Sequence, residues 1–197
     1  QHEIDRSDAD GDSSIMLADN MLGVAEIVGS TLLEVSVEIG EMMARMDSKA
    51  PTATMLVGGQ RKGGRMRLFL IYPEGNFIEA TDDTPYLQVG EHKYGKPILD
   101  RALHNSTPLS EAVKLGLISF DSTIRSNVAV GPPFDMVVVN RDSLHGAQRR
   151  IEIDDPYFKD LGRRWSEALA NAHRAMPAPP WLEPQASSGR PNISIVS

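Results

Sequence analysis

The stretch Thr84-Pro85-Tyr86-Leu87-Gln88-Val89-Gly90-Glu91-His92-Lys93-Tyr94-Gly95-Lys96-Pro97-Ile98-Leu99-Asp100-Arg101 organises the chain. Tyr86, Leu87 and Val89 read as the end of a buried strand, a short apolar run bounded by breakers. Gly90 closes it, and Gly95 and Pro97 bracket the start of a helix that carries Ile98, Leu99 and Leu103. Proline suits a first helical turn, where its missing N–H has no partner to lose. Glu91, His92 and Lys93 are thereby presented at a strand-to-helix turn, beside backbone N–H groups that helix geometry leaves free. Such a turn can carry chemistry or be a plain connector.

Upstream, close spacing predicts three further strands. Thr52–Gly58 ends at Gly58-Gly59, and a basic, glycine-rich turn over Gln60–Arg65 leads into Arg67–Tyr72. That second run is apolar on both faces, as a covered central strand should be. Pro73-Glu74-Gly75-Asn76 offers a turn with glycine where a positive φ is convenient, so Phe77–Ala80 returns as a hairpin partner. No Gly-Lys-Ser/Thr follows the glycines of 58–64, which argues against a phosphate cradle. Before the strands, Met21, Ala25, Val28, Leu32, Val35, Ile39, Met42 and Met46 recur in alternating steps of four and three. That is one helical stripe over Asn20–Met46, with Asp19 as its cap and Asp47–Pro51 as its stop. The stripe lies on a sheet or on a partner subunit. Its Met-rich end reads as core filler or as an adaptable docking surface.

Downstream, Thr107 is placed to cap a helix from Pro108 with Leu109, Val113, Leu117, Phe120 and Ile124 on one face. Gly116 in that stripe costs about 1 kcal/mol against Ala, which points to close packing on a neighbour. Asp121, Ser122, Arg125, Ser126 and Asn127 cluster at its C-terminal end. Gly131-Pro132-Pro133 breaks the chain, Asp135–Val139 reads as a buried strand, and Arg149–Ile153 as a last edge strand. A helix from Asp155 to about Met176 shows Phe158, Leu161, Trp165, Leu169 and Ala172 at helical spacing. Helix, four strands, two helices, strands, helix: the order predicts an α+β fold with a sheet core covered by helices. The Pro-, Ser- and Gly-rich tail after Pro177 reads as disordered or as an extended docking arm.

Composition narrows the functional classes. A chain of 197 residues holds one domain with a full core, or one domain plus tails. A formal net charge of −7 disfavours nucleic acid and anionic membranes as partners. The absence of cysteine removes disulfides, thiolate metal sites and a Cys nucleophile. No apolar run approaches the roughly 20 residues of a membrane helix, and no signal-like start is visible, so a cytoplasmic protein without membrane attachment is expected. Asp8, Asp10 and Asp12 suggest a calcium loop, but Ser13 stands where the sharp turn wants Gly and Asp19 where a bidentate Glu belongs. His92, His104, His145 and His173 show no ligand spacing, so neither a metal nor another cofactor is expected. The opening Gln1-His2-Glu3-Ile4 reads as the last turn of an element rather than a beginning, which suggests a truncated or processed chain.

Gly58-Gly59, the hairpin through Pro73-Glu74-Gly75, and the run Val89–Asp100 with its Tyr94-Gly95 and Leu99-Asp100 resemble the proteasome β-subunit pattern. Phe69–Ala80, Ser119–Asn127 and Val130–Asp135 are most similar to Anbu, the bacterial ancestral β-subunit group. The likeness spans roughly Asp19 to Trp181, and Tyr94–Arg101 is its most specific part. It implies a four-layer αββα sandwich of the Ntn-hydrolase type. Residues 1–18 would be a helix end and an acidic loop, 19–176 a partial Ntn-hydrolase domain, and 177–197 the tail.

The resemblance also implies an N-terminal Thr nucleophile whose own α-amino group is the base, an amine of pKa near 7.7–8.0 being competent at neutral pH. That Thr belongs to two opening strands with no counterpart in this sequence, so the chain alone is expected to be inactive. Thr31, Thr52 and Thr54 are internal and have no free amine. What carries over is a supporting shell of Glu91, Asp121 and Ser126, with Gly90 and Asn127 toward the substrate. Glu91 falls where relatives place a Ser in a Gly-Ser-Gly turn, and a carboxylate there favours the ammonium form of the amine. Asp121 and Ser126-Asn127 resemble residues that orient the nucleophile, and Thr123 competes for the same place. Each also has an ordinary reading, Asp121 as a surface charge and Ser126-Asn127 as a helix C-terminal turn. Three functions follow: a threonine peptidase or amidohydrolase subunit in a ring or helical homo-oligomer acting on peptide or amide substrates; a non-catalytic scaffold of the same fold; and a ligand-binding α+β module.

Overall fold

The computed structural model describes residues 14–181 except Leu144. The acidic run of residues 5–13 and the tail from residue 182 lie outside the described residues. The element order is α1 Met21–Arg45, β1 Met55–Gly59, β2 Arg67–Ile71, β3 Phe77–Glu79, α2 Lys96–Ala102, α3 Leu109–Ile124, β4 Phe134–Val138, β5 Ala147–Ile151 and α4 Pro156–Ala175. A short 3-10 turn over Ile15–Leu17 precedes α1. Strands and helices are mixed, with two small antiparallel sheets ordered β1-β2-β3 and β4-β5.

The first sheet forms as its sequence dictates. β2 is central, with a neighbour paired on each side, and its Phe69, Leu70 and Ile71 are buried. The β2–β3 hairpin turns through Gly75, whose φ of +82° is open to glycine at little cost. Across the sheet lies α1, burying Met21, Val24, Ala25 and Leu32 against Phe69 and Ile71. Each of these side chains larger than that of Ala25 contributes on the order of 1.5–3 kcal/mol. Gly29 lets the helix backbone touch the hairpin turn: a Cβ built there would collide with the Gly75 carbonyl oxygen. The second unit packs α3 and α4 on β4-β5 through Leu117, Ile151 and Phe158, with Phe134 and Phe158 edge to face at 5.6 Å. Gln60 ties the sheets together, its amide donating to Asp142 Oδ1 at 2.7 Å while its Oε1 accepts the Asp142 N–H at 2.8 Å.

Several expectations are corrected. Tyr86–Val89 is not a strand: Thr81 and Thr84 exchange backbone hydrogen bonds and turn the chain away from β3, and no ladder forms. Asn20, not Asp19, caps α1, because its Oδ1 accepts from Leu22 and Gly23. The α1 stripe is buried only as far as Leu32, and Val35, Met42 and Met46 are exposed. Thr107 does not cap α3 but accepts the His104 N–H, leaving Pro108 at the cap position without a side-chain bond. Gly116 has nothing within 4 Å of a built Cβ, so it makes no close contact among the described residues. Strand β4 alternates rather than being buried, since α3 and α4 cover one face and Val137 on the other is 57% exposed.

Candidate functional site

Residues 86–96 form a stapled loop between the first sheet and α2. At one end the Tyr86 hydroxyl donates to Asp100 Oδ1, which also takes an ion pair from Lys96 at 2.6 Å. Lys96 donates to the Tyr86 oxygen at 3.1 Å as well and lies over the ring at 5.4 Å. The Lys96 ammonium, with the Tyr86 hydroxyl, holds the Asp100 carboxyl below its ordinary range, so the staple is charged at neutral pH. At the other end Gly95 lies flush on α3: a Cβ would meet Ser119 Oγ, the Ser119 carbonyl at 3.0 Å and Thr123 Oγ1 at 3.0 Å. Both anchors come from α2 and α3, which fix the loop without a ladder.

Between the anchors, Gly90 has φ +90° and turns the chain so that Glu91 points back across it. Glu91 Oε1 accepts the Lys93 backbone N–H at 2.9 Å, and Oε2 accepts Asn127 Nδ2 at 3.0 Å. The Lys93 N–H and the Asn127 amide lower the Glu91 pKa against the cost of desolvation, so the group is a fixed carboxylate at neutral pH. Gln88 Nε2 donates to the Glu91 carbonyl at 3.0 Å, whereas Gln88 Oε1 is buried without a partner among the described residues. His92 Nδ1 lies 2.9 Å from the Gly90 carbonyl. Asn127 is fixed in turn, its backbone N–H bonded to the Thr123 carbonyl at 2.8 Å and its Oδ1 accepting from Ala129 at 2.9 Å.

The structure thus brings Glu91, Gly90 and Asn127 into one cluster although 36 residues separate the two polar side chains. Ser126 sits beside it in the exposed turn after α3. Asp121 projects from the opposite side of α3, paired with Arg125 at 3.0 Å and filling the notch left by Gly162 of α4. Thr123 is buried and donates to the Ser119 carbonyl at 2.9 Å. Sequence reading missed Gln88 and the Tyr86–Lys96–Asp100 staple. The i,i+4 spacing of Lys96 and Asp100 was a readable signal; the roles of Tyr86 and Gln88 had none.

Chemically, the cluster is a rigid anionic acceptor at a turn, suited to holding a cation or an N–H group. A separate cavity of about 650 Å³ lies between the sheets, lined by Gly58, Arg65, Glu79, Asn105, Val137 and others. Within it Arg67 and Glu79 pair through two hydrogen bonds of 2.6 Å. Among the described residues no group of three or more His, Cys, Asp or Glu side chains could hold a metal ion. No helix there is long and apolar enough to cross a membrane.

No family model matches the sequence, and no curated protein matches it. Solved structures do. Anbu from Hyphomicrobium sp. strain MC1 is 44% identical, with a TM-score of 0.76 over 90% of this chain and 73% of that one. Anbu (ancestral beta-subunit) from Yersinia bercovieri is 40% identical, with a TM-score of 0.78 over 91% and 74%. The helical assembly of the Anbu complex from Pseudomonas aeruginosa is 41% identical, with a TM-score of 0.79 over 91% and 74%.

Proposed function

The chain belongs to the Anbu family, and on that premise we propose that its full-length protein is a self-assembling threonine peptidase or amidohydrolase subunit. In this reading residues 19–176 are part of a four-layer αββα sandwich, and the two small sheets are portions of its inner layers. An N-terminal Thr attacks the amide carbonyl while its α-amine accepts the hydroxyl proton. Glu91, Asn127 and Gly90 flank that amine and the substrate backbone. Ser126 supports them from the turn after α3, Asp121 acts only through the position of that helix, and the protein acts in the cytoplasm. The helical assembly of the Pseudomonas relative supports a homo-oligomer here.

One observation carries the reading. Two polar side chains that resemblance alone assigned to the nucleophile's surroundings, Glu91 and Asn127, are clasped at 3.0 Å. A carboxylate so fixed is a ready partner for an ammonium group. The same carboxylate favours a second reading, an assembled but non-catalytic scaffold, because it stabilises the protonated amine and weakens it as a base. A ligand-binding module is set aside, since it required the resemblance to be accidental. Labelling full-length protein with a peptide epoxyketone, which closes a ring on a hydroxyl and a neighbouring free amine together, separates the first two. The hydrolase reading expects one adduct, mapped to an N-terminal Thr by peptide mass. Assembly without any adduct selects the scaffold.

A further inference from the structure

The turn between β1 and β2 is basic in a chain that carries −7 overall. It is also tightly held. The Gly64 N–H donates to the Arg61 carbonyl at 2.9 Å, and the Gln60 amide donates to the Gly64 carbonyl at 2.9 Å and to Asp142 Oδ1 at 2.7 Å. The bond to Asp142 brings the β4–β5 turn alongside, so Arg61, Lys62, Arg65 and Arg141 gather on one rim. Lys62, Arg65 and Arg141 are exposed, and none of the four cations has an ion pair among the described residues. Two exposed carboxylates share the rim: Asp142, with one oxygen taken by Gln60, and Asp19, just before α1. Glu79 nearby is paired with Arg67. Four cations against two carboxylates leave the rim positive.

An acidic segment is tethered beside this rim. The Arg61 guanidinium donates to the Met16 carbonyl at 2.6 Å, two residues after Ser14, where the described residues begin. Immediately before Ser14 come residues 5–13, in which Asp5, Asp8, Asp10 and Asp12 stand against Arg6 alone. At the extended-chain limit Asp12 lies within about 7 Å of Ser14 and Asp8 within about 20 Å. The Asp8–Asp12 run therefore reaches the rim without any distant stretch of chain having to order. Arg45 is also unpaired among the described residues, but it sits about 36 Å from Met21 at the helical rise, beyond that reach.

We propose that the Asp8–Asp12 run docks within its own chain on the rim formed by the Arg61–Arg65 turn and Arg141. A single exposed ion pair is weak. A tether this short, however, presents the aspartates at a millimolar effective concentration, and the hydrogen-bonded turn is organised before they arrive. Docked there, the run lies at the edge of the cavity that Gly58, Gly59 and Arg65 line. It also neutralises a basic turn that would otherwise attract polyanions. The contact is internal to one chain and independent of the peptidase and homo-oligomer readings.

The test is zero-length coupling of the full-length protein with a water-soluble carbodiimide, which joins a carboxylate to a lysine amine only where the two touch. Peptide mass should show residues 5–13 linked to Lys62. In a mixture of isotope-labelled and unlabelled protein, both halves of each linked pair should carry the same label. Asp8→Asn/Asp10→Asn/Asp12→Asn should lower the yield of that link at least fivefold with an unchanged thermal midpoint. Salt at 1 M, where the screening length is about 3 Å, should lower it as well. In the same variant, amide exchange at Arg61–Arg65 should quicken at least threefold while β2 keeps its rate. Lys62 linked only to Asp19 or Asp142, or exchange in the turn that the variant leaves unchanged, overturns the docking. Linked pairs of mixed label place the run on a second copy and overturn the contact within one chain.

Discussion

Gly95→Ala tests whether the loop carrying Glu91 is held by contact with α3. The new methyl would sit against Ser119 Oγ, 3.0 Å from the Ser119 carbonyl and 3.0 Å from Thr123 Oγ1. Ser119 could rotate, but it is buried and its carbonyl is fixed in the helix, where it also accepts from Thr123. Relief therefore requires α2 to move off α3 by several tenths of an ångström. Overpacking of this kind costs about 1–3 kcal/mol. No helix propensity offsets it, since Gly95 is at the cap position, where Gly is at least as favourable as Ala. In a domain of this size about 2 kcal/mol lowers the thermal midpoint by roughly 4–8 °C. Paired urea and thermal unfolding of the full-length protein measures it. The loop should loosen with the helix, so amide exchange at Glu91–Lys93 should quicken more than in the first sheet. A Gly95→Ala variant as stable as wild type would refute the anchoring argument.

Gly116→Ala is the counterpart in open space and should stabilise by about 1 kcal/mol from helix propensity alone; a loss in the same urea series would reveal a contact hidden from the described residues. Glu91→Gln removes the fixed charge beside the proposed amine. The rising limb of the pH–rate profile should then move down by about one unit, and a limb that stays put means Glu91 does not face the amine. The Lys93 N–H lowers the Glu91 carboxyl and the Arg67 guanidinium lowers that of Glu79. The stability these groups contribute is present above their unfolded pKa, near 4.3, and is lost as pH falls through the lower folded values. Urea midpoints taken from pH 7 to pH 3 should fall in that window, and Glu79→Gln should flatten the fall; an unchanged slope removes Glu79 from the account.

How much of this was legible depended on whether local chemistry had a competitor. β2 and the Gly75 hairpin followed from an apolar run and a turn glycine, which have one reading each. The alternating stripe of α1 fixed the helix but not where its cover ends, because periodicity carries no information about sheet length. Thr107 and Asp19 were each one choice among adjacent capping residues, and the neighbouring backbone decided against them. Tyr86–Val89 has the composition of a strand yet no partner ladder, and pairing is a non-local property. Glu91 and Asn127 were singled out by resemblance, whereas their hydrogen bond depends on α2 and α3 packing through Gly95, a contact no spacing reveals. In Gly116 and Gly95 the same residue type has opposite meanings, open space in one and close approach in the other.

Helix α3 divides the polar residues at its end between two jobs. Ser119 and Thr123, four apart, face α2 and accept Gly95, and the turn that follows delivers Asn127 to Glu91. Asp121 projects away from that side into Gly162, against which even a methyl would clash. Its carboxylate is only 13% exposed and is paired with Arg125. Asp121 can therefore affect the cluster only through the position of α3 between α2 and α4. Asp121→Asn keeps the shape and removes the charge, so it should change stability by about 1 kcal/mol or less and leave the Glu91 environment and the epoxyketone labelling rate alone. Asn127→Ala has the reverse signature, little change in stability and a changed labelling rate, because Glu91 loses the amide that orients it. A pair of variants that moved the labelling rate equally would mean that the two sides of α3 form a single shell.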